Sequence, residues 1–349
     1  MNKKNQNTPT RIVRVSKKAI LAFFIIAILW GLSLWGVWQF AREPDNNAKQ
    51  NLFHLLNPRL ATFELNTPEE RAAKLFITLS PLKTELLEFL GDNQNNTAFY
   101  IEDLNTGGWA GWQEREEFIP ASLLKVPVAM AALKEVDKGE WTLETAFTME
   151  TRYKDKNFGS LWQMEDGKSI TLKQLIEEML QYSDNTAANI LFDKISADSR
   201  NNVYYHIGLV NPEAPFEQSA NQPLFRKLTP KELATIFRAL FNATYLTRRS
   251  SSYILEILTD TKFDKVLASE IPSNISVAHK VANFFTKDPN RPKNYHDCGI
   301  VYYPQHPYLY CVMTKEFNAD VAQQFIVDIG NKIYRYFDKT SNQPTAAKP

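Results

Sequence analysis

Residues 118–125 read Phe118-Ile119-Pro120-Ala121-Ser122-Leu123-Leu124-Lys125 and open an apolar helical stretch. Positions i and i+3 share one face of a helix, so Lys125 can reach the Ser122 hydroxyl and, when neutral, take its proton. Pro120 just before the run suits a helix start, because its fixed φ costs little there. That start places Ser122 in the first turn, where free backbone N–H groups and the helix dipole favour developing negative charge. Ser-x-x-Lys on its own recurs by chance in chains of this length, so its weight depends on what lies around it.

Residues 171–191, TLKQLIEEMLQYSDNTAANIL, supply the second signal. Leu172, Leu175, Ile176, Met179 and Leu180 recur at helical spacing, and a break at Tyr182-Ser183-Asp184-Asn185 precedes a second apolar helix. The break presents Ser183 and Asn185, while Asp184 or Ser183 also suits the N-cap of the helix that follows. Two such motifs about sixty residues apart and in this order resemble the class A β-lactamase and penicillin-binding serine hydrolase family, whose pattern is Ser-x-x-Lys, Ser-Asp-Asn, then Lys-Thr-Gly. The strand pair before Ser122, the PASLLK and SDNTAANIL blocks, the LTPKELATIFRAL helix and the final strands follow that family's order over roughly residues 80–337.

The third motif departs. Val277-Ala278-His279-Lys280-Val281-Ala282 occupies the Lys-Thr-Gly place, with Lys280 matching and Val281 and Ala282 in place of threonine and glycine. In the family the threonine hydroxyl binds the substrate carboxylate and the glycine admits the substrate backbone. Valine donates no hydrogen bond, and alanine adds a methyl where the approach is closest.

The resemblance implies Ser122 as nucleophile, Lys125 as base and Ser183 as proton relay to the leaving nitrogen, with Lys280 beside it. It further implies that Asn185 binds the substrate's side-chain amide, that Val281 lies at the carboxylate contact, and that the backbone N–H groups of Ser122 and Asn283 form the oxyanion hole. For release of the acyl group the family uses Glu-x-x-x-Asn on a loop. Glu217 to Asn221 has that spacing within a Pro- and Asn-rich segment at 211–223, with Glu213 as a rival acid and a solvated loop glutamate as the alternative. The substrate expected is a β-lactam or a peptidoglycan-derived peptide. The readings are a β-lactamase-like hydrolase, with a D,D-peptidase or a catalytically weak wall-binding module as alternatives.

Residues 19–41 hold no charged side chain and, at about 1.5 Å per residue, are long enough to cross about 30 Å of hydrocarbon. Lys3, Lys4, Arg11, Arg14, Lys17 and Lys18 precede them without an acid, which keeps the tail in the cytoplasm and places the rest outside. A cleaved signal peptide is the competing reading, but the apolar run is long and ends without a small-x-small site. Removing those six from the 40 Lys+Arg leaves 34 against 39 Asp+Glu, a net −5 for the outer part, and no basic surface for nucleic acid. The chain then reads as a basic tail (1–18), a membrane anchor (19–41), a polar spacer (42–75), one serine hydrolase domain (76–338) and a disordered tail (339–349). Residues 52–60 suggest a short amphipathic helix lying on the surface.

The fold class is α/β in the α+β sense. A helix at 80–90, strands at 97–104 and 109–116, a helical block over 122–243, a helix near 251–258, three strands within 277–315 and a closing helix at 319–337 give one antiparallel sheet flanked by helices and joined to an all-α lobe. Cys298 and Cys311 lie on a predicted hairpin, where a cross-strand disulfide and two buried thiols are equally open. His279, His296 and His306 have no metal-ligand spacing, and no dinucleotide or phosphate loop occurs, so neither metal nor cofactor is expected. The protein is expected to be a monomer.

Overall fold

The computed structural model describes residues 54–57, 78–209, 227–263, 271–284, 294–315, 317 and 319–341. Helix α1 (Ser80–Leu90) leads into β1 (Thr97–Asp103) and β2 (Trp109–Trp112). A 3-10 turn (Ala121–Leu124), α2 (Lys125–Asp137), β3 (Ala146–Thr148), β4 (Ser169–Thr171), α3 (Leu172–Gln181), α4 (Asn185–Lys194), α5 (Ala197–His206), α6 (Pro230–Phe241) and α7 (Arg248–Thr259) follow. The chain returns through β5 (Val277–Phe284), β6 (Asn294–Val301) and β7 (Tyr308–Lys315) to α8 (Ala319–Ser341). The main sheet is antiparallel in the order β2-β1-β7-β6-β5, so strands from both halves of the chain meet at the β1–β7 pair, and β5 is an edge.

Both faces of this sheet are covered, which explains why β1 and β6 are buried at every position rather than alternately. Side chains still alternate between two clusters. Ala98, Tyr100, Cys298, Ile300, Leu309 and Cys311 face the helical lobe. Phe99, Ile101, Tyr295, Tyr308, Tyr310 and Val312 face α1 and α8. Helix starts in the lobe are set locally. Thr171 with Gln174 and Thr229 with Glu232 form capping boxes, and Pro230 occupies the first turn of α6.

Several expectations are corrected. The helical block is interrupted by the β3–β4 pair, two short strands that lack the length for a clear period-2 signal. The second strand ends at Trp112 because the chain turns at Gln113, whose φ is +46°. Helix α8 runs on to Ser341, past the expected helix end at 337. Residues 54–57 form a turn with Leu55 and Leu56 buried in the helical-lobe cluster, not a surface helix. Tyr302 Oη donates to the Leu55 carbonyl, and the Asn57 amide N–H donates to the Phe241 carbonyl, tying this segment to the domain. Cys298 and Cys311 face each other across β6 and β7 and form a disulfide.

Among the described residues no helix is long and apolar enough to cross a membrane. The expected anchor at 19–41, the spacer apart from 54–57, and the loop holding Glu213 and Glu217 lie outside the described residues.

Candidate active site

Ser122 sits in the 3-10 turn, and Lys125 begins α2, so the helix starts three residues later than the spacing suggested. Ala121, immediately before Ser122, has φ +47°. A non-glycine residue in the left-handed region is backbone strain of the kind that surrounding structure must hold, and such positions cluster at functional sites. Here the holder is identifiable. His296 Nε2 donates to the Ile119 carbonyl over 2.9 Å, while its Nδ1 accepts from the Thr314 N–H over 3.2 Å. Burial holds His296 neutral, with its pKa pushed down to about 4, and this tautomer satisfies both bonds. His296 stands opposite Ala282 in the β5–β6 register.

Lys125 is 1 % exposed. Its ammonium donates to the Ser183 carbonyl, to Ser183 Oγ at 3.1 Å and to Asn185 Oδ1 at 2.6 Å. Its hydrogen bonds among the described residues therefore go to the second motif rather than to the Ser122 hydroxyl. Burial pushes its pKa well below the ordinary lysine value, the positive charge of Lys280 pushes the same way, and Asp184 and Asp155 oppose them. The neutral amine is therefore favoured here relative to a lysine in water.

Ser183 has φ +56°, a second left-handed residue. Asp184 is the N-cap of α4: its Oδ1 accepts from the Ala187 N–H over 2.8 Å, and its Oδ2 accepts from the Leu161 N–H over 2.9 Å. A Cβ built on Gly159 (φ +82°) lies 1.9 Å from Asp184 Oδ2, so only glycine allows this approach. The Asn185 N–H donates to the Phe158 carbonyl, and Thr186 Oγ1 accepts from the Asp155 N–H. The 155–161 segment is thus a brace for the second motif. The sequence reading missed it; the glycine in Asn157-Phe158-Gly159-Ser160 was the available signal, whereas nothing in the sequence marked His296.

Strand β5 packs beside the Ser122 turn. Lys280 is fully buried, donates to the Val281 carbonyl over 3.2 Å and lies 5.3 Å from the Phe263 ring centroid. Burial lowers its pKa to about 7, and Asp297 partly offsets the shift. Val281 is 4 % exposed and packs in the cluster facing α1 and α8, while Ala282 lies in the cluster facing the lobe. Asn283 is half-buried and pairs with Tyr295 near the end of the β5–β6 ladder.

Ser183 and Asn185 are thus joined directly through Lys125, and Lys280 is near enough to act on the Lys125 charge. No group of three or more His, Cys, Asp or Glu residues able to hold a metal occurs among the described residues.

The sequence profile of the Beta-lactamase enzyme family matches residues 81–337. The β-lactamase VEB-1 of Pseudomonas aeruginosa is 21 % identical over 230 residues, covering 62 % of this chain and 77 % of its own length. The extended-spectrum β-lactamase PER-1 of the same organism is 23 % identical, with 63 % and 76 % covered. Among solved structures, PBP-A shares the fold with a TM-score of 0.64 at 24 % identity, covering 75 % of this chain and 97 % of its own. A β-lactamase from Sphaerobacter thermophilus has a TM-score of 0.65 at 21 % identity, with 76 % and 98 % covered.

Proposed function

Because the chain belongs to the β-lactamase enzyme family and is a β-lactamase-like serine hydrolase, we propose that it is a membrane-anchored, extracytoplasmic enzyme that opens β-lactams through an acyl-enzyme on Ser122. The observation that carries this reading is the contact of Lys125 Nζ with Ser183 Oγ at 3.1 Å, which links the first motif to the second. A PBP-A variant solved as an acyl-enzyme complex with penicillin G, at a TM-score of 0.65, has the same fold.

In this mechanism Ser122 Oγ attacks the lactam carbonyl carbon, and its proton passes to the neutral Lys125 amine. Ser183 Oγ, accepting from Lys125, has its own O–H free to donate to the nitrogen as the amide bond breaks. The Lys125 proton then replaces the one Ser183 has given up. Asn185 binds the substrate's side-chain amide, and the N–H groups of Ser122 and Asn283 hold the oxyanion, each such donor being worth roughly 3 kcal/mol. Water releases the acyl group, with Glu217 as its base. Residues 19–41 hold the domain at the outer membrane face, and the protein acts as a monomer without a cofactor.

The test is intact-mass timing of a fluorescent penicillin on Ser122. Rapid formation and loss of the adduct supports hydrolysis. A stable adduct indicates a penicillin-binding D,D-peptidase instead, and no adduct rejects β-lactam chemistry.

A further inference from the structure

The buried histidine of β6 connects the sheet to the backbone that leads into Ser122. His296 is fully buried and pairs in register with Ala282, the residue before Asn283. Directly opposed residues on neighbouring strands share one face of the sheet, and Ala282 lies in the cluster facing the lobe. The imidazole therefore stands on the lobe side, beside the part of β5 that ends in Asn283. The Thr314 N–H of β7 donates to its Nδ1 over 3.2 Å. Its Nε2 donates in turn to the Ile119 carbonyl over 2.9 Å.

A hold on Ile119 reaches Ser122 through few free torsions. The Pro120 ring fixes its own φ, so beyond the clamped Ile119 peptide plane only the Pro120 ψ and the Ala121 φ and ψ set the direction of the Ser122 N–H. The Pro120 carbonyl accepts from the Leu123 N–H over 3.1 Å, which restrains the first of these, and Ala121 is held at φ +47°. Phe118 is fastened from the other side. It exchanges both backbone hydrogen bonds with Leu228, and its ring meets the His296 ring edge-on with centroids 5.9 Å apart.

We infer that His296 is a positioning residue for acyl transfer: it spaces the nucleophile's turn from β5, so that the N–H groups of Ser122 and Asn283 converge on one oxyanion. The catalytic part of this inference rests on the function proposed above, which assigns those two donors. An apolar side chain would fill the same space but would leave the Ile119 carbonyl and the Thr314 N–H without this partner. The position calls for one donor and one acceptor on opposite edges of a rigid group, which neutral imidazole supplies.

The experiment compares two amide variants of the full chain. His296→Gln keeps a donor at the reach of Nε2, whereas His296→Asn can still serve Thr314 but is too short for Ile119. Penicillin acylation of Ser122 is followed by intact mass over a range of concentrations, which separates affinity before the covalent step from the rate constant of that step. His296→Asn is expected to acylate roughly 10- to 100-fold more slowly at little-changed affinity, the scale of a misplaced oxyanion donor. His296→Gln is expected to recover most of the rate. Equal rates in parent and His296→Asn, or a loss in His296→Gln as large as in His296→Asn, overturns the inference.

Adding Ala121→Gly to His296→Asn relieves the left-handed backbone and separates positioning from folding. The double variant is expected to regain thermal stability without regaining the acylation rate, and a regained rate would reduce His296 to a structural role and overturn the inference. A parent protein that takes no penicillin defeats the proposed function and the catalytic part together. The backbone amide signal of Ser122, read by heteronuclear NMR, still decides the positioning: it is expected to shift in the double variant and to stay near the parent's in His296→Gln. An unmoved signal in the double variant, or an equal shift in His296→Gln, overturns it.

Discussion

Lys125 Nζ lies 3.1 Å from Ser183 Oγ although the two residues are 58 positions apart, so the proposed base and the proposed proton relay form one hydrogen-bonded unit. The third partner of that unit is Asn185, whose Oδ1 accepts at 2.6 Å. Removal of Lys125 therefore takes away the proposed base and unfastens the second motif at once. Lys125→Ala is expected to slow acylation roughly 100- to 10,000-fold, the range for a lost general base. Ser122→Ala is expected to abolish covalent labelling with little change in thermal unfolding, since Ser122 is only half-buried. Intact-mass spectrometry checks both; an adduct that persists in the alanine variant places the nucleophile elsewhere.

The depressed pKa of Lys280, about 7 against an ordinary 10.5, has a thermodynamic sign. Below pH 7 both the folded and unfolded states hold the proton, and the folded state bears the full cost of a buried charge. Between about 7 and 10.5 the folded state releases the proton while the unfolded state keeps it, so stability rises with pH across that window. Lys280→Met is expected to stabilise the protein by roughly 2–4 kcal/mol at pH 6, with the gain shrinking toward pH 10. Part of the gain acts through Lys125, whose amine is freed from a neighbouring cation. Denaturant unfolding at the two pH values checks this, and a gain independent of pH refutes it.

Gly159→Ala is expected to damage the site without touching any catalytic group. Its methyl has no room beside Asp184, and φ +82° is unfavourable for alanine. A cost of about 1–3 kcal/mol in stability is expected, with slower acylation because Asp184 caps the helix that carries Asn185. Leu161→Ala serves as the comparison, and equal labelling rates in parent and Gly159→Ala refute the bracing role.

Val281→Thr isolates the departure in the third motif. The family pattern suggests that a hydroxyl here recovers a carboxylate contact, but the Val281 side chain packs with Tyr295 and Val312 on the α1–α8 side. A hydroxyl buried in that cluster is expected to cost about 1–3 kcal/mol, with no more than a small gain in penicillin labelling. A tenfold faster acylation with unchanged stability would show that position 281 addresses the substrate carboxylate.

Much of the architecture was legible because local chemistry and burial agree. The helix at 80–90, the capped starts at Thr171 and Thr229 and the three late strands are specified by patterns that short windows contain. Where they were misread, the missing information was local geometry: a 3-10 turn ahead of Lys125, or strands of three residues within helical surroundings.

By itself, the sequence determined the identity and order of the chemical groups: Ser122 with Lys125, Ser183 with Asn185, and a lone Lys280 in the third place. Their spacing along the chain also placed them on helix starts and a strand, since turn chemistry and periodicity act over a few residues. Only the tertiary structure decided that Lys125 turns to Ser183, that His296 clamps the Ile119 carbonyl, and that Gly159 admits Asp184. Each of these joins residues at least 17 positions apart through burial and hydrogen bonding. Such contacts depend on the packing of the whole sheet and lobe, which no local pattern encodes.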